Sequence, residues 1–208
     1  TACWVDECFK PVSSDKKKLF GISDRHPVLL YTGRIGKPEE AAELTHIYKR
    51  VKQVHPYTRL VITGEGPALQ SLKDENADAI FMEKVSRDRL PAIYSSADLL
   101  ILPSRSGGSF PHVVLEALSC GLPVIAYNTK SSKDIIRDGK DGFLVGNCRE
   151  MCDRIIEYLS HNRKDVFRRA AIERSATYHP DIILTGLLKA VGCLCSAMDC
   201  EVSFGKEF

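Results

Sequence analysis

An α/β fold, with a parallel sheet wound by helices on both faces, is predicted for this 208-residue chain by three observations. Six short apolar runs are continuous rather than alternating, as strands buried on both faces must be. Amphipathic stretches of helical length separate these runs. Glycine and polar residues gather after the runs, where the ligands of such sheets bind.

The elements follow in order. Val28-Leu29-Leu30-Tyr31-Thr32 reads as the first strand; Gly33-Arg34 follows it, and then a helix over 38–54. Leu60-Val61-Ile62-Thr63 is the second, closed by the tight turn Gly64-Glu65-Gly66 and followed by a helix over 67–75. Ala79-Ile80-Phe81-Met82 is the third, with a helix over 87–96 behind it. Leu99-Leu100-Ile101-Leu102 stops at Pro103, and a small-residue loop leads into a helix over 112–119. Val124-Ile125-Ala126, a helix over 131–137 and Gly142-Phe143-Leu144-Val145 complete the alternation. Strand–helix–strand repetition at this spacing gives a Rossmann-like doubly wound sheet. Further helices are expected over 147–160, 162–177 and 180–195, the last entered through Pro180. Residues 10–26, with Lys16-Lys17-Lys18, read as a solvated linker.

Composition narrows the function classes. With 44% hydrophobic residues the chain can bury a core. A net charge of +2 lacks the strongly basic face of a nucleic-acid binder. No run reaches the ~18 apolar residues of a membrane span. The start, Thr1-Ala2-Cys3-Trp4, shows no Met and no basic-then-apolar leader, so the chain is expected to begin inside a longer protein. Eight cysteines include no Cys-x-x-Cys pair, and no His pair has zinc-finger spacing, so a zinc site is not expected. Free thiols in a reducing cytosol fit better, with Cys120 a small buried hydrophobe. No Asp-x-Asp, carboxylate cluster, Walker motif or Ser-His-Asp signature stands out.

The stretch Pro103-Ser104-Arg105-Ser106-Gly107-Gly108-Ser109-Phe110-Pro111-His112-Val113-Val114-Leu115-Glu116 carries the chemistry. A glycine loop between strand and helix points unpaired N–H groups and the positive helix end at one spot, which suits a phosphate. A single carboxylate on the second turn, Glu116, can accept hydrogen bonds from sugar hydroxyls. Together they outline a nucleotide site.

Several fragments add up only as an ordered set. They are Val5-Asp6 with Phe9-Lys10-Pro11, Thr32-Gly33-Arg34, His55-Pro56, and Leu60 to Pro67. Then come Tyr94-Ser95-Ser96-Ala97-Asp98, Leu102-Pro103-Ser104, Phe110 to Ala117, Cys120-Gly121-Leu122-Pro123-Val124, and Asp138-Gly139 to Val145. In this order they resemble retaining glycosyltransferases of family 4, which have the two-domain GT-B fold. The likeness covers only the C-terminal, donor-binding half of such an enzyme. It implies an interdomain segment over 1–22, a nucleotide-sugar domain over 23–178, and a C-terminal helix and tail over 179–208.

The resemblance also assigns roles. Arg34 inherits the family's contact with the donor diphosphate, after Gly33, and a guanidinium fork suits that grip. The family's clamp lysine falls at Glu39, a reversed charge, which leaves Lys37 as the substitute if the loop is rearranged. Glu116 resembles the second glutamate of the E-x7-E motif, which binds the donor ribose. The first glutamate is replaced by Gly108, which can let backbone approach the donor or be a flexible turn. Ser109, Phe110, His112 and Val113 are candidate backbone donors to the diphosphate, and Pro111 suits the first helical turn. His112 is second-tier, a packing or capping residue rather than an acid or base. Met82 and Lys84 follow the third strand, where the family contacts the nucleobase.

The implied activity is transfer from a UDP- or GDP-sugar, with retention and without a metal ion. The acceptor, a sugar or a lipid-linked molecule, would be held by an N-terminal domain of the same protein. A cytoplasmic location is expected, with peripheral membrane contact where the acceptor is a lipid. The departures at Glu39 and Gly108 motivate an alternative, a catalytically degenerate domain kept for binding or as a partner subunit. A nucleotide-sugar epimerase fits the ordered motifs less well.

Overall fold

The strands expected from the apolar runs all form. The computed structural model describes residues 5–82, 85–104, 110–161 and 163–185, without the side chains of 17, 110 and 111. Its strands are β1 Val28–Thr32, β2 Arg59–Thr63, β3 Ile80–Met82, β4 Leu99–Leu102, β5 Val124–Tyr127 and β6 Gly142–Val145. They pair in parallel in the order β3-β2-β1-β4-β5-β6. The order reverses between β1 and β4, so the loops leaving those two strands part to opposite sides and open a crevice.

The helices are α1 Lys16–Phe20, α2 Pro38–Val54, α3 Leu69–Glu75, α4 Leu90–Ser96, α5 Phe110–Ser119, α6 Lys130–Ile135, α7 Cys148–Ser160 and α8 Lys164–Ala176. Two cores sandwich the sheet because successive strand residues point to opposite faces. Leu29, Tyr31, Leu60, Ile62, Leu99 and Ile101 join α2, α3 and α7 in one core. Val28, Leu30, Val61, Leu100 and Leu102 join α4, α5 and α6 in the other. Two-sided burial therefore accounts for the unbroken apolar runs.

Local chemistry sets the helix ends. Pro38 opens α2, Glu39 and Glu40 fill its first turn and Lys52 its last, all favourable for the helix dipole. The buried positions Ala41, Leu44, Ile47, Tyr48 and Val51 follow the helical repeat. Thr129 and Ser132 form a capping box on α6, and Asn147 caps α7 by accepting from the Glu150 N–H. The helix expected over 87–96 divides into a 3-10 turn, Arg87–Arg89, and α4. Pro91 lacks the N–H that would continue the earlier turn. Of the helix expected over 180–195, residues 180–185 are helical and the remainder lies outside the described residues.

The stretch over 10–26 is not a solvated linker. It holds α1, and Phe20 is buried in the second core together with Val5 and Phe9 from upstream. The Lys16 ammonium, with its side chain 15% exposed, pairs with Asp98 at 2.9 Å. Asp98 also accepts from Lys164 Nζ at 2.7 Å and from the Val28 N–H at 2.8 Å. Burial would push its carboxyl up, but Lys16 and Lys164 outweigh burial and hold it below the usual carboxylate range. One carboxylate thus ties α1, β1 and α8 to the start of β4.

Candidate functional site

The loop after β1, on one side of the crevice, runs alongside the loop after β2. The Gly33 N–H donates to the Thr63 carbonyl at 3.0 Å and the Ile35 N–H to the Glu65 carbonyl at 3.1 Å. This closeness requires glycine at Gly64, where φ is +139° and a Cβ would fall 2.0 Å from the Gly33 carbonyl oxygen. At Gly66 a Cβ would lie 2.1 Å from the Ile35 carbonyl oxygen. The Gly-x-Gly after β2 therefore shapes the loop after β1, rather than being a turn alone.

Arg34 is held by this clasp. Its carbonyl accepts from the Tyr31 hydroxyl at 3.1 Å, while its side chain is exposed. The guanidinium makes no ion pair or hydrogen bond among the described residues. Lys37, the N-cap residue of α2, is likewise exposed and unpaired among the described residues. Glu39 points to solvent, whereas Glu40 accepts from the Gly36 N–H and the Ser104 hydroxyl, both at 3.3 Å. Glu40 so links the loop after β1 to the loop after β4, across the crevice.

On the opposite wall, Glu116 is only 7% exposed. The Tyr94 hydroxyl donates to its Oε2 at 3.1 Å, and Arg87 Nη1 stands 3.4 Å from Oε1. Burial raises the Glu116 carboxyl above its ordinary value, against the lowering pull of Tyr94, Arg87 and His112. Tyr94 is itself pushed well above the usual phenol range by burial and by the Glu116 charge, so it stays a donor. Thr63 donates to Thr32 at 2.9 Å. The ends of β1 and β2 are thereby tied to each other. Arg87 also lies 5.0 Å from the centroid of the Phe9 ring and 3.9 Å from Asp6.

The remaining candidates spread along the carboxyl edge. Phe110 begins α5, His112 is exposed on its first turn, and Val113 is half-buried against the second core. The first N–H groups of α5 have no partners within the helix. Met82 ends β3, half-buried at the sheet edge, two strands from β1. Gly108, Ser109 and Lys84 lie outside the described residues.

Arg87 and the Thr63–Thr32 hydrogen bond escaped the sequence reading. Two threonines ending adjacent strands were the available sign, but only the pairing of β1 with β2 makes it legible. Elsewhere, between α2 and α7, the ligand atoms of His46, Cys148 and Cys152 lie within 4.8 Å of one another. The cysteine spacing rules had given no reason to expect that grouping. Among the described residues, no helix is long and apolar enough to cross a membrane.

The chain has counterparts among known proteins. The family model described as glycosyl transferases group 1 matches residues 12–176. The chain belongs to the group 1 glycosyl transferases. This group 1 chain is 34% identical over 160 residues to a sulfoquinovosyl transferase of Arabidopsis thaliana, covering 73% of the chain and 30% of that protein. It thus spans about a third of the length of that relative. Its fold matches a sucrose-phosphate synthase from Thermosynechococcus elongatus with TM-score 0.78 at 21% identity, over 94% of this chain and 52% of that one. It also matches the C-terminal domain of a group 1 glycosyl transferase from Francisella tularensis, with TM-score 0.71 at 19% identity. That match covers 84% of this chain and 97% of the Francisella domain. The Rossmann-like sheet is that of the C-terminal half of a GT-B enzyme.

Proposed function

We propose that this chain is the donor-binding half of a glycosyl transferase that uses a UDP- or GDP-sugar and retains anomeric configuration. The observation that carries the reading is Arg34: an exposed guanidinium, unpaired among the described residues, in the crevice where strand order reverses. The same carboxyl edge carries the N-terminus of α5 and a carboxylate fixed by Tyr94.

In this reading the diphosphate lies between Arg34, with Lys37 beside it, and the backbone donors of Ser109, Phe110, His112 and Val113. Gly108 gives the donor room, Glu116 accepts from the ribose, and Met82 and Lys84 flank the base. As the glycosyl bond breaks, negative charge grows on the departing diphosphate. Positive side chains and helix-end amides already aimed there stabilise it without reorganising, and no metal ion is required. The acceptor, a sugar or lipid-linked molecule, is held by an N-terminal domain of the full-length protein, and transfer needs both halves. The family match and the fold support this assignment.

Titration of the chain with UDP and with GDP tests it. Arg34→Ala is expected to weaken binding by roughly tenfold or more, since a charged hydrogen bond contributes about 1.5–3 kcal/mol. Glu116→Ala is expected to lower affinity for the nucleotide but not for free pyrophosphate. Affinity indifferent to both substitutions, or sugar transfer by the chain alone, would overturn the proposal.

A further inference from the structure

A second cluster with its own chemistry sits where α7 lies along α2. Cys148 opens α7 and Cys152 follows one turn later, so both thiols face the same side of the helix. The same four-residue step lets the two histidines of an H-E-x-x-H helix hold one zinc ion. His46, on the neighbouring helix α2, completes a triad whose ligand atoms all lie within 4.8 Å of each other. Around a tetrahedral zinc with thiolate and imidazole ligands, donor atoms sit about 3.5–3.8 Å apart. The triad therefore needs to contract by about 1.3 Å at most, within reach of rotamer adjustment.

The surroundings favour a cation over simple packing. Cys152 is 2% exposed, Cys148 half-buried and His46 exposed, a graded path from solvent to the inner thiol. His46 makes no hydrogen bond among the described residues, so its ring nitrogens are available. Glu43, one turn before His46 on α2, lies close enough to Cys148 for its charge to act on that thiol, and it accepts a hydrogen bond from the Tyr127 hydroxyl at the end of β5. That places an anchored carboxylate at the edge of the triad, either as a fourth ligand or as the partner that orients one. Two sulfurs and an imidazole select a thiophilic ion over magnesium or calcium.

We propose that Cys148, Cys152 and His46, with Glu43 alongside, form a binding site for a single thiophilic divalent cation, Zn2+ fitting best. Binding replaces the two thiol protons, which are released to solvent, and forms metal–sulfur and metal–nitrogen bonds across α2 and α7. The ion would pin α2, which begins at Pro38, to α7 on the same face of the sheet. None of these residues belongs to the proposed donor site, so this inference stands or falls separately.

Co2+ is the probe, because thiolate ligation gives charge-transfer and tetrahedral d–d absorption. Added to the reduced chain, it is expected to give one equivalent of such a signal, displaced by Zn2+. Replacing Cys193, Cys195 and Cys200 together by serine should leave the signal intact. Cys148→Ser, Cys152→Ala and His46→Asn should each lose it, and Tyr127→Phe should weaken affinity roughly 10–100-fold. Circular dichroism confirms that each variant is folded, and His46→Asn, on the exposed helix face, is the variant least able to unfold the chain. Loss of the signal in the tail variant, its persistence in a folded His46→Asn or Cys148→Ser protein, or its absence from the reduced wild type would overturn the proposal.

Discussion

Asp98 and Glu116 are both buried carboxylates, yet their surroundings push them in opposite directions. Asp98 meets two ammonium groups and a backbone N–H, so its carboxyl is lowered from 3.8. Its contribution to stability is present above that ordinary value and is lost as pH falls through the lowered one. Asp98→Asn leaves Lys16 and Lys164 without their counter-charge; we expect a loss of about 2–4 kcal/mol at neutral pH, reduced by the partial exposure of the lysines. In thermal unfolding, the gap between Asp98→Asn and wild type should close toward strongly acidic pH. Glu116 has the reverse sign. Its carboxyl is raised from 4.5, chiefly by burial, so ionising it costs stability as pH rises through the raised value. Urea midpoints should therefore show Glu116→Gln gaining on wild type as pH climbs above 4.5. A flat difference across that window would mean that Tyr94 and Arg87 offset the burial completely.

Among the elements, the loops after β1 and β2 matter most, because one is shaped by the other. Gly64→Ala forces a methyl against the Gly33 carbonyl at 2.0 Å in a backbone conformation that L side chains rarely adopt. The expected cost is about 1–3 kcal/mol, accompanied by weaker nucleotide binding as the Arg34 loop is pushed aside. Gly36→Ala, two residues beyond Arg34, meets nothing within 4 Å and should change neither property. Calorimetry on the pair separates close backbone packing from any general effect of stiffening the loop. The helices show how far local sequence reaches. The span expected over 38–54 forms as α2, because Pro38, the first-turn acids and the buried repeat all act within the segment. The expected 87–96 helix changes from a 3-10 turn to α-helix between Arg89 and Leu90, where Pro91 sits in the first turn of α4. The pairing of Lys16 with Asp98 is not legible in either segment, because the two residues lie 82 positions apart.

For the molecule as a whole, the sheet order decides where chemistry can happen. Because β1 and β4 are neighbours, the loop that carries Arg34 and the helix that carries Glu116 both leave the carboxyl edge at the switch point, although a long stretch of chain separates them. The same layering lays α7 on α2 and gathers His46 with Cys148 and Cys152 on the flank. Residues alone determined the strands and their two-sided burial, since a strand covered on both faces must be apolar at every position, and each segment carries that requirement itself. They also marked the glycine-rich turns and the lone glutamate of α5. Tertiary structure alone decided the partners: Arg87 and Tyr94 for Glu116, Lys16 and Lys164 for Asp98, Gly33 for Gly64. Such pairings depend on which strands become neighbours and which helices share a face, and no periodicity within one segment encodes a contact made with another.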